Sequence, residues 1–262
     1  MSKLALNYIL KKAVKKLNIG TFSRNGRNTY GRICVFHRGG GNVRKYRKID
    51  FNRRLNLFGY VYKILYDPNR TSFIGLIFYE NGLFSYVILS DNLKLGSKIY
   101  SGYKYIGPQC HSQGSSLTLN DITLFSIVNS VELKPGRGAA LSRSAGSGSV
   151  VISKTAGEIT LKNRSGWHIV VSAACLASIG YASNILHKMT KIGKAGKNRG
   201  LGKRPTVRGV AMNPCDHPHG GGNGKSSPPK APVSPWGKMT KGPHTKKTKD
   251  DKLKRKLFKK VR

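Results

Sequence analysis

Positive charge is distributed unevenly along the chain, and this distribution constrains the fold more than any other feature. The 262 residues include 48 lysines and arginines against 10 aspartates and glutamates, for a formal net charge of +38. Residues 1–49 carry 13 basic and no acidic side chains, residues 50–185 carry 13 and 7, and residues 186–262 carry 22 and 3. A central body of near-ordinary composition is therefore flanked by two basic arms. Such arms repel themselves in water and need a large polyanionic partner to become ordered.

Cysteine spacing and the length of apolar runs exclude several other classes of protein. The four cysteines, Cys34, Cys110, Cys175 and Cys215, include no CxxC pair, so the sequence indicates neither a zinc ribbon nor a disulfide framework. Free thiols in a reducing compartment are the preferred interpretation. The longest nearly uncharged apolar run, residues 167–182, is shorter than the ~20 residues that a membrane span needs. The sequence therefore predicts no transmembrane helix.

The beginning of the chain has the pattern of a basic amphipathic helix. From residue 3 to residue 17, apolar side chains recur at three-to-four spacing and lysines occupy the other side. An organellar targeting segment shares this lysine-rich, acid-poor character and stays open as an alternative. An uncleaved helix is the preferred interpretation.

Short β-rich runs separated by turn residues follow between Gly31 and Leu89. They cover residues 33–37, 46–51, 59–66, 73–79 and 83–89. Asn81-Gly82 predicts a two-residue type I′ hairpin, and Asp67-Pro68-Asn69 predicts a turn capped by its own side chain. Five strands at this spacing predict a small closed barrel, and the five-stranded OB-fold has the matching size.

A second group of β runs covers residues 123–132, 150–154, 158–162 and 167–172. Two glycine-rich basic loops, 134–138 and 143–148, separate its first two members. Glycine lets a backbone approach another surface closely, and the interspersed cations suit phosphate, although plain hairpin connections have the same composition. After Lys188 the periodicity ends, and Gly, Pro, Lys and Arg dominate.

Six aromatic residues of the first group resemble the stacking face of an OB-fold that binds single strands. They are Tyr60, Tyr62, Phe73, Phe78, Phe84 and Tyr86. Because side chains alternate between the two faces of a strand, about half of them are expected in the core.

One long motif resembles a known family. The run RPTVRGVAMNPCDHPHGGGNGK, residues 204–225, is similar to the signature of the large-subunit ribosomal protein L2 family. The resemblance continues through GRN at 26–28, HRGGG at 37–41, YR at 46–47, YDPNR at 66–70, VELKPG at 131–136 and RSAG at 143–146. Only residues 1–22 and roughly the last fifteen lack a counterpart. The stretch 33–39 resembles the mitochondrially encoded members most closely.

The resemblance implies an all-β fold class, with an OB-fold barrel followed by an SH3-like barrel. The expected domains are a basic N-terminal arm with a helix at 1–26, the OB-fold at 27–122, the SH3-like barrel at 123–196 and a long extended basic tail at 197–262. Glycines and prolines from Met212 to Lys225 are expected to fit an extended backbone between rRNA helices.

The resemblance also implies a function. It is that of a structural constituent of the large ribosomal subunit, which binds 23S-type rRNA near the peptidyl transferase centre and supports assembly and translation. Neighbouring large-subunit proteins are expected partners, a contact with small-subunit rRNA at the intersubunit face stays open, and no homo-oligomer is expected. Bond formation belongs to the rRNA, so no enzyme activity is expected. A bias toward Lys, Asn, Ile, Tyr and Phe is typical of an AT-rich genome and favours a mitochondrial ribosome, with a bacterial or plastid ribosome as the alternative.

Residue by residue, the resemblance assigns rRNA contacts to cations, glycines and a few other polar or aromatic side chains. The expected rRNA-binding residues are Arg27, Asn28, Arg32, His37, Gly39, Gly40, Gly41, Lys45, Arg47, Arg70, Lys134, Gly136, Arg137, Arg143, Ser144, Arg199, Arg204, Arg208, Met212, Asn213, Asp216, His217, His219, Gly220, Gly221, Gly222, Lys225 and Trp236.

The sequence Asp216-His217-Pro218-His219 has three interpretations. An imidazole near a carboxylate suits acid–base catalysis, but no second carboxylate lies nearby in sequence and glycines give no rigid dry pocket. Two histidines two residues apart suit a metal ion but lack further ligands. The preferred interpretation is structural, with imidazoles bonded to phosphate or 2′-OH groups. No catalytic residue and no cofactor of the protein's own are expected, and an rRNA-associated Mg²⁺ or K⁺ near His217 and His219 stays open.

Two other classes of nucleic-acid protein compete with this interpretation. A chromatin-like duplex binder shares the basic tails but usually has arms of low-complexity Lys and Ala, whereas these arms carry Pro, Gly and His motifs. A nucleic-acid enzyme needs clustered acidic residues for metal-dependent phosphoryl chemistry, and the acids here are scattered.

Overall fold

The computed structural model describes residues 12, 14–223, 231–242 and 258–260, and these divide into two compact units. The β unit contains residues 12, 14–21, 43–191 and 258–260. The loop unit contains residues 22–42, 192–223 and 231–242. Within the described residues the regular structure is mostly β, and the helices are short. The predicted all-β class is confirmed.

All strands of the described residues lie in the β unit. They are β1 (Asn18–Gly20), β2 (Lys45–Arg47), β3 (Leu57–Leu65), β4 (Ile74–Tyr79), β5 (Phe84–Ile88), β6 (Lys98–Ser101), β7 (Ser116–Thr118), β8 (Ile127–Asn129), β9 (Val131–Glu132), β10 (Ala139–Leu141), β11 (Ser149–Thr155), β12 (Glu158–Asn163), β13 (Trp167–Ser172), β14 (Leu176–Ile179) and β15 (Phe258–Lys260). The short helices are Pro108–His111 and Ile185–Met189 here, and Ala195–Gly200 and Gly209–Ala211 in the loop unit.

Eleven of these strands form one sheet in the order β15-β13-β12-β11-β8-β14-β7-β6-β3-β4-β5, while β1 pairs with β2 and β9 with β10. Strands β3 to β5 enclose two small apolar clusters whose buried members lie between Ile49 and Ile99. Strands β7, β8 and β11 to β14 enclose a larger cluster whose members lie between Tyr100 and Ala177. The two groups of strands predicted from alternation therefore have separate apolar cores.

A buried arginine connects the strands of the two groups. Arg53 is 4% exposed, and its guanidinium donates to the Tyr100 carbonyl at 2.9 Å, the Ser101 hydroxyl at 3.0 Å, the Gly114 carbonyl at 2.8 Å and the Ser178 hydroxyl at 3.0 Å. Burial lowers the pKa of the guanidinium because desolvation disfavours its charged form, an effect opposed by Tyr79 and Asp50. Arg53 thus holds β6, the loop before β7, and β14 together.

Several local predictions need correction. Residues 33–37 were expected to form a strand, but they form bends with an isolated bridge at Ile33, and His37 has a φ of 57°. The hairpin at Asn81-Gly82 exists, yet its turn is not type I′, because Gly82 has a φ of 82° and Asn81 is absent from the residues with positive φ. The Asn81 side chain instead accepts the Leu83 amide at 3.1 Å. This pattern fits a three-residue loop with glycine in the left-handed position.

The ends of the chain are described only in part. Residues 14–17 are helical, and Val14 and Leu17 pack against the cluster around Phe84. The rest of the helix predicted at 3–17, apart from Lys12, lies outside the described residues. No helix in the described part of the chain is both long and apolar enough to cross a membrane.

All four cysteines are free thiols, as the sequence predicts. Cys34 and Cys215 are exposed, whereas Cys110 and Cys175 are buried. Desolvation, followed by the negative charge of Glu132, raises the pKa of the Cys175 thiol to about 11.

We expect alkylation to follow this division. Because the thiolate is the nucleophile, iodoacetamide at pH 8 should modify Cys34 and Cys215 well before Cys110 and Cys175 in the folded protein. Mass spectrometry of peptides over time measures the four rates, and labelling in denaturant provides the control. Modification of Cys175 as fast as Cys34 in folded protein would contradict the buried site.

Arg53→Met should lower the free energy of unfolding by about 3–5 kcal/mol, because two carbonyls and two hydroxyls each lose a partner in the interior. Denaturant unfolding of the full chain measures the change. Arg137→Met is the matched control, since Arg137 is exposed and its replacement should alter stability by no more than about 0.5 kcal/mol. A loss below 1 kcal/mol for Arg53→Met would contradict the role given to this side chain.

Candidate nucleic-acid interface

A buried carboxylate organises the first group of predicted cations. Asp67 is fully buried in the turn after β3. Its oxygens lie 2.6 Å from Nε of Arg70 and 3.6 Å from Nη1 of Arg47, and one of them accepts the amide of Asn69 at 3.0 Å. The Asn69 side chain in turn donates to the carbonyl of Lys45 at 2.9 Å. The YDPNR motif is therefore a frame that brings Lys45, Arg47 and Arg70 together.

An aromatic ring adds Arg143 to this group. The guanidinium of Arg143 lies 5.2 Å from the ring centre of Phe51, and that of Arg70 lies 6.0 Å from the same ring. The carbonyl of Arg143 also accepts the Ser72 hydroxyl at 3.3 Å. We call Lys45, Arg47, Arg70 and Arg143 the Asp67 cluster. With one carboxylate among four cations, it keeps a positive surface that suits phosphate.

A second buried carboxylate shapes the loop that follows β9. Glu132 is fully buried and accepts the amides of Gly136 at 3.3 Å, Gly138 at 2.9 Å and Leu176 at 3.1 Å. Gly136 and Gly138 have φ values of 86° and 84°, a region that favours glycine. The VELKPG motif is thus a loop wrapped around its own glutamate. Its two cations, Lys134 and Arg137, are left exposed.

In the loop unit, the glycine triplet packs against a later segment of the chain. The amides of Gly39 and Asn42 donate to the carbonyls of Gly202 and Gly200, each at 3.0 Å. A Cβ on Gly41, whose φ is 91°, would lie 2.7 Å from the Gly202 nitrogen. Backbone contacts this close explain why glycine is required on both segments. The contact brings His37 and Gly39–Gly41 next to the segment that contains Arg199 and Arg204.

The glycine-rich segment of the signature folds as consecutive turns rather than as an extended backbone. The amides of Asp216 and His217 donate to the Asn213 carbonyl, and the amide of Gly221 donates to the Met212 carbonyl at 3.1 Å. A Cβ on Gly220 would lie 2.7 Å from the Met212 carbonyl oxygen and still closer to that of Asn213. The loop therefore closes on itself through backbone contacts that leave no room for a side chain at Gly220.

His217 is the centre of this loop. It is 7% exposed, and a Cβ on Gly209 would lie 2.7 Å from its ring. Its Nδ1 accepts the amide of His219 at 3.0 Å, and Nε2 of His219 accepts the amide of Val233 at 3.2 Å. A backbone amide can only donate, so Nδ1 of His217 and Nε2 of His219 are the acceptors in these two bonds, and Nε2 of His219 also lies 3.4 Å from the Ala231 carbonyl oxygen.

This geometry gives the two imidazoles a structural task. Each ring uses one nitrogen to hold the backbone, so a metal ion on those atoms would cost two hydrogen bonds. Asp216 is exposed, and no bond between its carboxylate and either ring is found. Groups of three or more metal-ligating side chains are absent from the described residues.

The predicted residues thus fall into both units. The β unit holds Lys45, Arg47, Arg70, Lys134, Gly136, Arg137, Arg143 and Ser144. The loop unit holds Arg27, Asn28, Arg32, His37, Gly39–Gly41, Arg199, Arg204, Arg208, Met212, Asn213, Asp216, His217, His219, Gly220–Gly222 and Trp236. Lys225 lies outside the described residues. Trp236 has its ring centre 5.7 Å from that of Phe36, and the Asn28 side chain accepts the amides of Tyr30 and Arg32, each at 3.0 Å.

Sequence reasoning did not single out Asp67 and Glu132 as the residues that position the cations. The sequence did contain a signal for this role. Acidic residues are few in this chain, and both of these lie at the edge of a basic turn that contains glycine or proline. Of the six aromatic residues, Phe84 and Tyr86 are buried, Phe78 is half-buried, and Tyr60, Tyr62 and Phe73 are exposed. The expected division between core and surface is confirmed.

Comparison with known proteins gives matches over most of the chain. Residues 14–101 match the family model described as Ribosomal Proteins L2, RNA binding N-terminal domain, and residues 112–237 match the L2 C-terminal domain. The chain belongs to the ribosomal protein L2 family. The fold is accordingly the L2 arrangement of an OB-fold and an SH3-like barrel, in agreement with the two groups of strands.

Bacterial members of the L2 family are similar over nearly the whole chain. The large ribosomal subunit protein uL2 of Orientia tsutsugamushi (strain Ikeda) is 48% identical over 237 residues, which cover 90% of this chain and 85% of the relative. The uL2 protein of Hyphomonas neptunium (strain ATCC 15444) is 48% identical over 241 residues, covering 91% and 85%. The uL2 protein of Chelativorans sp. (strain BNC1) is 44% identical over 239 residues, with the same coverage.

Gly220→Ala should impair rRNA binding, because the added methyl group meets backbone carbonyls that cannot move without opening the loop. We expect a loss of at least tenfold in affinity for large-subunit rRNA, measured by filter binding. Gly196→Ala is the matched control in the same unit. Its Cβ would meet nothing within 4 Å and it lies in a short helix, so affinity should be unchanged. Equal affinities for the two variants would show that the closed loop is not needed.

Proposed function

We propose that this protein is a structural constituent of the large ribosomal subunit and binds large-subunit rRNA near the peptidyl transferase centre. The observation that carries the proposal is the arrangement of cations within the L2 fold. Buried Asp67 and Glu132 hold basic loops in place. Lys45, Lys134, Arg137 and Arg143 are exposed there, while Arg47 and Arg70 are partly buried against Asp67. Such a surface is complementary to a folded phosphate backbone.

The loop unit supports the same proposal because almost none of its described residues are buried. Among the described residues that are buried, only His217 belongs to this unit. A segment without an apolar core gains too little from burial to offset the entropy of ordering. Contacts with rRNA would supply the missing stabilisation. We propose that its glycine turns fit against RNA and that Arg199, Arg204 and Arg208, all exposed, contact phosphates.

We propose four domains: a basic arm at 1–26, an OB-fold at 27–122, an SH3-like barrel at 123–196 and a basic tail at 197–262. The two sets of apolar clusters support a division into two barrels, but the clusters separate at residues 99–100 rather than at 122–123, because Tyr100, Cys110, Leu117, Leu119 and Ile122 pack in the core of the second group. Neighbouring large-subunit proteins are proposed partners, and a ribosome is the proposed location. The relatives described above are bacterial, whereas the composition and the stretch 33–39 support a mitochondrial ribosome. Locating the coding gene tests the choice between the two.

Competition binding separates this function from the other nucleic-acid classes. Full-length protein is mixed with labelled large-subunit rRNA fragments and challenged with either unlabelled fragment or random duplex DNA. A ribosomal constituent should release the labelled rRNA at a much lower concentration of unlabelled rRNA fragment than of duplex DNA. Equal competition by duplex DNA would favour a chromatin-like binder.

The salt dependence of binding should be steep. Each phosphate neutralised releases counterions, so log affinity should fall with log salt concentration by roughly 0.7–0.9 units per phosphate contact. A titration from 50 to 500 mM potassium chloride measures this slope. Arg47→Gln and Arg143→Gln should each reduce it by about one contact, and a nearly flat titration would contradict phosphate-dominated binding.

His217→Gln tests the structural role of the imidazole. Glutamine keeps an acceptor for the His219 amide but removes the titratable ring. Single-turnover peptidyl transfer on purified subunits of checked composition should retain most of the wild-type rate and its pH profile. A loss of about 10²–10⁴-fold without an assembly defect is typical of a missing general acid or base and would contradict the structural role.

A further inference from the structure

A groove in the β unit is lined by none of the expected rRNA-binding residues, although Gly146 and Gly148 of the glycine-rich loop 143–148 border it. It encloses about 850 Å³, within the range of about 300–1,000 Å³ for sites that hold small ligands. Its floor is one cross-strand row, in which Val150 of β11 pairs with Lys162 of β12, and Lys162 pairs with His168 of β13. Paired residues point to the same face of a sheet, so these three side chains share the floor. We call it the Phe125 groove, after an aromatic residue on its wall.

The aromatic residue that gives the groove its name is held in a strained conformation. Phe125 has a φ of 62°, which a bulky residue rarely adopts. Its amide donates to the Val151 carbonyl at 2.8 Å, which fixes the turn, yet its side chain is 73% exposed. Burial of the ring therefore does not account for the choice of residue. An exposed aromatic side chain on a strained backbone indicates a functional contact.

A second aromatic ring has a fixed position on the groove. Tyr181 is 39% exposed and packs against the backbone of Gly148, where a Cβ would lie 2.6 Å from Cδ1 of the tyrosine. This contact keeps one edge of the ring against the protein. Two exposed aromatic rings on one groove are suited to stacking with flat ligands.

The charge of the groove selects among flat ligands. Lys162, Arg164 and His168 line it, and acidic residues are absent from its described lining. The Arg164 guanidinium donates to the Gly146 carbonyl at 3.0 Å, which holds it at the rim and uses one of its five N–H donors. Cations beside aromatic rings suit a base attached to a phosphate. A protein partner is less well matched, because the centres of protein interfaces are depleted in charge.

We propose that the Phe125 groove binds an unpaired nucleotide of large-subunit rRNA. The base stacks on Phe125 and Tyr181, and the adjoining phosphates contact Lys162 and Arg164. This inference rests on the proposed function, because the nucleotide belongs to the RNA that the protein is proposed to bind. It adds a site for single-stranded RNA to the phosphate-binding clusters.

Phe125→Gly gives the sharpest test, because glycine accepts the positive φ and removes the ring. The folded protein should be at least as stable to heat as wild type, while affinity for large-subunit rRNA should fall roughly 5- to 100-fold, as for the loss of one stacked base. The slope of log affinity against log salt should not change, since no phosphate contact is lost. Phe125→Ala should show a similar loss of affinity. Tyr103→Ala is the control, because Tyr103 is an exposed aromatic residue of the same unit outside the groove.

Lys162→Gln tests the phosphate half of the site. It should weaken binding and lower the salt slope by about 0.7 units, in contrast to Phe125→Gly. Ultraviolet cross-linking of the wild-type complex, followed by peptide mass spectrometry, should place a nucleotide adduct on Phe125 or Tyr181.

The outcomes distinguish this inference from the proposed function. If wild-type protein prefers its rRNA over random-sequence RNA but Phe125→Gly binds equally well and no adduct maps to the groove, the groove assignment is overturned and the function stands. Cross-links from the groove to another protein in assembled subunits would overturn the assignment in the same way. If wild-type protein shows no preference for its rRNA, both are overturned.

Discussion

The buried guanidinium of Arg53 is the interaction on which the β unit depends. It bonds to β6, to the loop before β7 and to β14, and these are the elements through which the sheet passes from the first group of strands to the second. A charge in the interior is tolerated only when its donors are satisfied, so the four acceptors and the arginine require each other. One cation of this very basic chain is thus used for folding, while most others are left for the surface.

Scarce carboxylates have a complementary role. Asp67 and Glu132 are fully buried, and each accepts bonds from a loop that carries cations at its surface. Each anchor supplies negative charge and acceptors that offset the repulsion between the like charges of its loop. In the described part of the loop unit no carboxylate is buried, and the anchors are backbone bonds such as those of Gly39 and Asn42 together with the histidine-centred turn. The β unit is ordered by its core, whereas the proposed function assigns the corresponding role in the loop unit to contacts with rRNA.

Alternation and turn chemistry predict much of the β unit from sequence. Strand β13 begins and ends where the pattern places it, and β3, β4, β5, β11 and β12 differ by a residue or two. The single strand predicted at 123–132 is wrong although it contains buried Val128 and Val131, because positive φ values at Phe125 and Ser130 leave only the short strands β8 and β9 there. The pattern also fails where the core does not decide the conformation. Val35 and Phe36 look like strand residues but are half exposed among bends, and β6, β7, β10 and β14 are too short to produce a period. The hydrogen bonds of Arg53 depend on tertiary packing, and the position of Phe125 depends on its positive φ. Neither feature can be predicted from the spacing of residues in the sequence.

Hydrogen–deuterium exchange of the full chain, with and without large-subunit rRNA, tests the central claim that a self-folding β unit presents a basic surface and loop unit ordered by rRNA. Without RNA, amides of β3, β4, β11 and β12 should already be strongly protected, while amides of residues 204–222 should exchange fast. Addition of rRNA should slow exchange in residues 204–222 by orders of magnitude and leave the four strands little changed. Fast exchange in the strands without RNA, or no gain of protection in residues 204–222 with it, would contradict the account.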